Sequence, residues 1–428
     1  MPKRNNSEVA YHDATKHSYL SVQINPNYVD HGTQPTAFKV YPKFYRRVKL
    51  NLNNSLHGFI WLTSAVTLEK VYKDVHHKLR VNPSAGALYP TELYVQIRGI
   101  SEIVDGIYHL EVENNCLTLI YELIDDGLEN HIIPGKSIRG CIFLISCVYY
   151  RSSWKYQDRS LRYCFLDSGH HLGAIAASAY LYNQDIQLIF DFDKLALNTV
   201  LGFENKEFIT GGVISGEVLD KPVRGLRLKV PFVCGTDYFE ANQFIEHSYQ
   251  VTAVQQSLAQ PLQRPQFHFK KDQFYQTVWN RRSIRRFRKQ FISQEDYVYI
   301  WRQIEQPIPT QHFEEIQIYC VVHRVEGILP GIYKGTHLLT AGNFTEKTSY
   351  LCVNQGMAGD CAVTLFFVSD YVNYQTAMQL AGFLGQRIYL VSNYLGINCS
   401  GIGAYYDDET QELLQTNKDI LYGMAIGK

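Results

Sequence analysis

The chain carries one pattern twice, and this repeat constrains its fold more than any other feature. In the first half, Glu92-Leu93-Tyr94-Val95-Gln96-Ile97 alternates as a strand and leads to Gly106-Ile107-Tyr108-His109-Leu110. In the second half, Ile316-Gln317-Ile318-Tyr319-Cys320-Val321-Val322 leads to Gly331-Ile332-Tyr333-Lys334. Tyr94 and Gly106 are 12 positions apart, as are Tyr319 and Gly331. An apolar strand follows in each half, Cys141 to Tyr150 and Ala362 to Val368. Each strand leads to an apolar helix rich in small residues. One helix is expected at about 165–182 with Gly169 and Gly173 inside, the other at about 377–395 with Gly382 and Gly385 inside. Strand, strand, strand, long helix thus occurs twice, which predicts an α+β fold of two tandem domains. The small residues would let the two copies approach closely, as paired subunits do.

At 428 residues the chain is long for one core, which agrees with two domains. The expected boundaries are 1–218 for the first, 219–272 for a connector and 273–428 for the second. The connector matches neither copy; it holds Pro222, Pro231, Pro261 and Pro265 and a glutamine-rich piece at Gln255, Gln256 and Gln260, some of it readable as helix. Lys plus Arg and Asp plus Glu both number 41, so no net charge favours nucleic acid or an anionic membrane. The longest apolar stretch, near Cys141 to Tyr150, is too short to span a bilayer. Nine scattered cysteines without CxxC or Cys/His pairing argue against zinc and for reduced thiols. Met1-Pro2-Lys3-Arg4-Asn5-Asn6 lacks an apolar export signal, so a cytoplasmic protein is expected.

Four segments carry candidate chemistry. Arg281-Arg282-Ser283-Ile284-Arg285-Arg286-Phe287 packs guanidiniums and a hydroxyl into one turn, a suitable phosphate grip. A solvated basic turn is its other reading. Pro83-Ser84-Ala85-Gly86-Ala87-Leu88-Tyr89-Pro90 is a small-residue loop whose backbone a flat ligand can approach, or simply a loop. Ser400-Gly401-Ile402-Gly403-Ala404 reads as a turn that frees N–H groups for a ligand edge. Lys155-Tyr156, in a run continuing to Arg159 and Arg162-Tyr163, lies at a strand-to-helix junction and could act as a base if the lysine is desolvated. The alternative is a surface basic turn. His170 and His171 are adjacent on a helix and point in different directions, so packing is expected rather than a metal.

Together these segments resemble the nitroreductase-like flavoprotein superfamily, and within it the SagB/ThcOx-type dehydrogenases. PSAGALYP with KYxxRxxRY is the specific part; RRSxR marks the superfamily. Tyr11 to Ser18 also resembles the start of longer members. The resemblance implies flavin mononucleotide as cofactor. Arg281, Ser283 and Arg285 would hold its phosphate, with Arg282 beside them. Pro83, Ser84, Gly86, Ala87 and Leu88 would pack on its ring, and Ser400, Gly401, Ile402 and Gly403 would meet the N5/O4 edge. Lys155 and Tyr156 would take a substrate proton while a hydride leaves for the flavin.

Family members pair two chains, one supplying RRSxR and the glycine turn, the other the Pro-Ser loop. Here the first half has the loop and the Lys-Tyr pair but only Tyr45-Arg46-Arg47-Val48 as a remnant of RRSxR, and Asn183-Gln184-Asp185-Ile186 after its helix. The second half has RRSIR and SGIGA but a degenerate Pro307-Ile308-Pro309-Thr310-Gln311-His312. The expectation is therefore an intrachain pseudo-dimer with one working flavin site; further homodimerisation stays open. The leading activity is two-electron oxidation of a small-molecule, peptide or carrier-bound substrate, azoline-to-azole-like, with oxygen as a candidate acceptor. No leader-peptide-binding domain is read ahead of the first half, which weighs against a peptide azoline. The alternatives are an NAD(P)H-dependent nitro or quinone reductase, and a non-catalytic flavin-binding or scaffold protein.

Overall fold

In a computed structural model, the structure describes residues 6–24, 29–72 and 75–428. The chain divides into two compact units: residues 29–263 with 308–313, and residues 1–28, 264–307 and 314–428.

The first unit is built on β1 (Arg47–Lys49), the separate hairpin β2 (Val66–Tyr72) and β3 (Val75–Arg80), then β4 (Thr91–Arg98), β5 (Gly106–Glu111), β6 (Cys116–Glu122), β7 (Ser137–Cys147), β8 (Gln187–Ile189) and β9 (Phe208–Leu219). Its seven-stranded sheet has the order β1-β6-β5-β4-β7-β9-β8. The second unit carries β10 (Gln317–Val322), β11 (Gly331–Lys334), β12 (His337–Ala341), β13 (Val363–Ser369), β14 (Asn398–Ile402) and β15 (Asp419–Gly427). Its order is β12-β11-β10-β13-β15-β14. Leaving out β1, the two orders correspond strand for strand, and every neighbouring pair is antiparallel.

The correspondence reaches individual residues. Ile97 pairs with Gly106, and Val322 with Gly331. A register shift falls at Ile107/Tyr108 in one sheet and at Ile332/Tyr333 in the other, and a second pair falls at Ile145/Ser146 and Phe367/Val368. The Tyr108 hydroxyl donates to the Val104 carbonyl at 2.6 Å, and Tyr333 to Leu329 at 2.7 Å. Bulges redirect a strand and increase its twist, so sharing both positions gives the two sheets the same local shape.

Two short helices matter to the site: α1 (Tyr150–Tyr156) and α3 (Lys271–Asn280). The long ones are α2 (Ser160–Leu181) and α4 (Tyr374–Tyr394), which follow β7 and β13 and are almost wholly buried. In the first unit a small residue of α2 lies close to the helix Ser55–Leu62: Ser178 Oγ donates to the Phe59 carbonyl at 2.8 Å.

The Tyr45-Arg46-Arg47-Val48 run, read as at most a remnant of the phosphate grip, lies at the edge of the first sheet. Arg47 lies in β1 and pairs with buried Glu111 at 2.8 Å, fixing that strand at the sheet edge. Much of the connector packs on the first unit: in the helix Gln243–Ala253, the Tyr249 ring stacks on Phe208 at 4.1 Å and its hydroxyl donates to the Ile209 carbonyl. Pro309 accepts the Leu188 N–H at 2.7 Å. In the second unit the helix Asn6–Ala14 buries His12 against Tyr374, and Glu8 accepts the first N–H of α4. All nine cysteines are free thiols. Among the described residues no helix is long and apolar enough to cross a membrane.

Candidate flavin-binding elements

In the first unit the structure brings the Pro83–Pro90 loop and the Lys-Tyr pair together. The loop is conformationally demanding: Gly86 has φ 63°, and Ala87 and Tyr89 follow in the left-handed region at 56° and 48°. Two non-glycine residues there cost about 1–2 kcal/mol each. The surroundings impose the shape. Ser84 Oγ donates to Asp167 Oδ2 at 2.5 Å, and the Ala85 N–H donates to Oδ1 at 3.2 Å. Ser84 Oγ in turn accepts the Tyr89 N–H at 2.9 Å. The Tyr89 hydroxyl accepts the Arg80 N–H, and Arg151 donates to the Tyr89 carbonyl. Arg151 also pairs with Glu92 at 2.6 Å, and His109 meets the other Glu92 oxygen at 2.9 Å. Against the cost of burial, Arg151 and His109 hold Glu92 well below the usual carboxylate range.

Tyr156 ends α1 and lies over this loop: a Cβ on Gly86 would come within 2.8 Å of its hydroxyl. The Tyr156 ring packs on Tyr163 at 4.4 Å between centroids, and Lys155 Nζ sits 5.6 Å from the centre of the Tyr156 ring. Both Lys155 and Tyr156 are half-buried. They lie in a short helix rather than at a direct strand-to-helix junction, because Gln157 (φ 47°) breaks the chain before α2 begins. His171 is a packing residue: its Nε2 meets Ser64 Oγ at 2.6 Å, and burial, with Arg80 nearby, pushes its pKa down to about 3. Among the described residues no group of three or more His, Cys, Asp or Glu could hold a metal.

In the second unit the arginine run and the SGIGA segment meet. Arg281 leaves α3 with non-helical backbone angles (φ −55°, ψ 124°), and the Ile284 N–H donates to the Cys399 carbonyl at 3.0 Å, tying the run to β14. The glycine turn expected at Ser400–Gly403 is therefore corrected: the residues through Ile402 are strand, paired to β15. Gly401 is small for lack of room, since a Cβ there would collide with the Tyr422 hydroxyl. Its N–H donates to the Tyr389 hydroxyl at 2.7 Å. The same hydroxyl meets Ser283 Oγ at 2.8 Å, and the Arg281 guanidinium lies 5.2 Å from the Tyr389 ring centre. Burial pushes the Tyr389 pKa up to about 12, so it stays a neutral donor and acceptor. Arg282 turns back to the Trp279 and Arg281 carbonyls, while Arg285 and Arg286 are exposed. Tyr389 and Asp167, which organise the two sets, were not among the sequence candidates.

Residues 278–428 match the nitroreductase family. Over 99% of both chains the structure is similar to the crystal structure of a protein from Anabaena variabilis ATCC 29413 provisionally named a nitroreductase, at 22% identity and a TM-score of 0.81. The fold is nitroreductase-like. A Methanocaldococcus jannaschii protein, also provisionally named a nitroreductase, is 30% identical over 132 residues, 29% of this chain. The chain spans 60% of that curated relative's length. Nitroreductase A from Vibrio parahaemolyticus RIMD 2210633 is similar over 36% of this chain and 66% of that one, at 19% identity and a TM-score of 0.27, too low to carry an argument. The nitroreductase match contains both Arg281–Phe287 and Ser400–Ala404, the two segments that meet at Tyr389.

Proposed function

We propose that this chain is a flavin-mononucleotide-dependent oxidoreductase of the nitroreductase kind. The observation that carries the reading is the junction of RRSIR and SGIGA at Tyr389, inside the family match. The match supports a flavin cofactor in general, and the chemistry of the residues suits the mononucleotide. Ser283 with exposed Arg285 and Arg286 offers a hydroxyl and two cations to a phosphate. The Ser84–Ala87 loop offers small, half-buried to exposed residues to a flat ring. When bound, the flavin would supply a two-electron acceptor and donor.

The complementary motif inventories support one flavin per chain, drawing on both residue sets in an intrachain pseudo-dimer. The expected preparation is yellow, with one flavin mononucleotide released per chain. Two per chain would overturn the single-site reading, and a colourless protein that ignores added flavin would overturn the flavin reading itself.

The names of the similar proteins favour reduction of nitro acceptors, and the reading takes NAD(P)H as the electron donor and admits quinones as further acceptors. In that case NAD(P)H bleaches the flavin rapidly without oxygen. A second reading rests on the seat of Tyr156 against Gly86 and of Lys155 over the Tyr156 ring. That arrangement suits proton removal from a small-molecule, peptide or carrier-bound substrate during SagB-type oxidation. A protein that NAD(P)H leaves yellow, and whose substrate-driven bleaching is lost on Lys155→Ala, Tyr156→Ala replacement, would establish this second reading.

A further inference from the structure

Asp167 is a buried carboxyl with an unusual set of neighbours. It is the only acid in α2, and its residue is 3% exposed. Its partners are two donors of the Pro83–Pro90 loop, Ser84 Oγ and the Ala85 N–H. Among the described residues no cation pairs with it. Burying a carboxylate without a counter-charge is costly, and two hydrogen bonds offset only part of that cost. The titratable side chains sensing its charge include Cys147 of β7, whose thiol is raised by burial and by Cys164 before Asp167 contributes. Tyr156 reaches the same loop at Gly86. The charged Arg80, Glu92 and Arg151 group is engaged with itself, His109 and backbone carbonyls.

The hydrogen bonds of Ser84 make the ionisation state consequential. Its oxygen accepts the Tyr89 N–H and its proton goes to Asp167. A hydroxyl has one proton and two lone pairs. When Asp167 is protonated, its own proton can be donated to Ser84 Oγ, whose second lone pair is available. The Ser84 proton is then released to face outward, while the Ala85 N–H keeps the other carboxyl oxygen. No heavy atom needs to move.

We propose that Asp167 is a positioning residue that sets the direction of the Ser84 hydroxyl, so that its protonated form presents a hydrogen-bond donor from the loop to a bound flavin. This rests on the flavin reading above. Burial, opposed by Ser84 and Ala85, pushes the Asp167 pKa up to about 7, which places the change within an accessible range.

The test is titration of flavin mononucleotide into flavin-free full-length protein, by flavin fluorescence, from pH 5.5 to 8.5. Wild type, Asp167→Asn and Ser84→Ala would be compared. Asparagine can donate to Ser84 and accept from Ala85, so it mimics the protonated acid at every pH. Referring each Kd to that of Asp167→Asn at the same pH cancels titration of the ligand phosphate. The expected result is a wild-type ratio near one at low pH that rises several-fold above pH 7, with Ser84→Ala showing no such transition. A flat wild-type ratio, or a transition that persists in Ser84→Ala, would overturn the proposal while leaving the flavin reading intact. Failure of all three proteins to bind flavin at any pH would overturn both.

Discussion

The Tyr389 hydroxyl accepts the Gly401 N–H at 2.7 Å, joining the C-terminal half of α4 to β14. Because it also meets Ser283, one buried oxygen ties the arginine run to the glycine strand. Tyr389→Phe removes that oxygen and leaves the Gly401 N–H without it. Leaving a buried donor without its partner costs about 1–3 kcal/mol, and because Gly401 is only half-buried the loss should fall at the low end. Urea unfolding should show a loss of that order, and flavin affinity should fall with it. Ser283→Ala, at an exposed position, should retain most stability and lose affinity alone. Equal stability losses in the two variants would contradict the central place given to Tyr389.

Gly86 combines a left-handed backbone with contact to Tyr156. Gly86→Ala introduces backbone strain of about 1–2 kcal/mol, and the new methyl must also displace the Tyr156 hydroxyl. Tyr156→Phe removes that hydroxyl and should relieve part of the second cost. The double variant should therefore be less destabilised than the sum of the singles, with a coupling of about 0.5–3 kcal/mol for residues in contact. Strict additivity in a denaturation cycle would place Tyr156 away from the loop.

His171 makes stability depend on pH in a defined direction. Its ordinary pKa of 6.5 falls to about 3 in the folded protein. The unfolded chain thus binds the proton more readily. The contribution of the neutral imidazole is complete above pH 6.5 and is lost as pH falls from there towards 3. The slope from this group is at most about 1.4 kcal/mol per pH unit. His171→Gln should flatten the stability curve between pH 6 and 4 relative to wild type, as read from denaturant midpoints. An unchanged acid limb would show that His171 does not carry it.

The repeat was legible in the sequence because strand alternation and conserved spacing are local signals. Tyr94 to Gly106 and Tyr319 to Gly331 announced two hairpins with one register. The contacts that organise the candidate site were not local. Asp167 left a trace, as the lone acid in an apolar helix, but its role depends on a loop 83 positions earlier in the chain. Tyr389 left none: it is one of 31 tyrosines, and only folding brings it to Ser283 and Gly401. The SGIGA segment misled because two glycines resemble a turn. In the fold Gly401 is strand, and its missing side chain makes room for Tyr422. The structural part played by Arg47 was equally illegible, since its partner Glu111 lies on another strand.

The repeat also predicts a matched pair of variants. A Cβ on Gly106 would come within 2.9 Å of the Tyr121 carbonyl oxygen and would also press on Leu119. A Cβ on Gly331 would come within 2.5 Å of the Thr340 carbonyl oxygen and would also press on Leu338. In each case the obstruction is a neighbouring strand's backbone, which cannot rotate away as a side chain can. Each glycine also adjoins its sheet's register shift, where the pairing is already irregular. Gly106→Ala and Gly331→Ala should each cost about 1–3 kcal/mol, the range for overpacking a close-packed interior. Each loss should appear in the unit that carries the substitution, read by hydrogen exchange at β5 and β6 in one variant and at β11 and β12 in the other. If one variant were destabilised and the other indifferent, the two hairpins would differ physically despite their shared register.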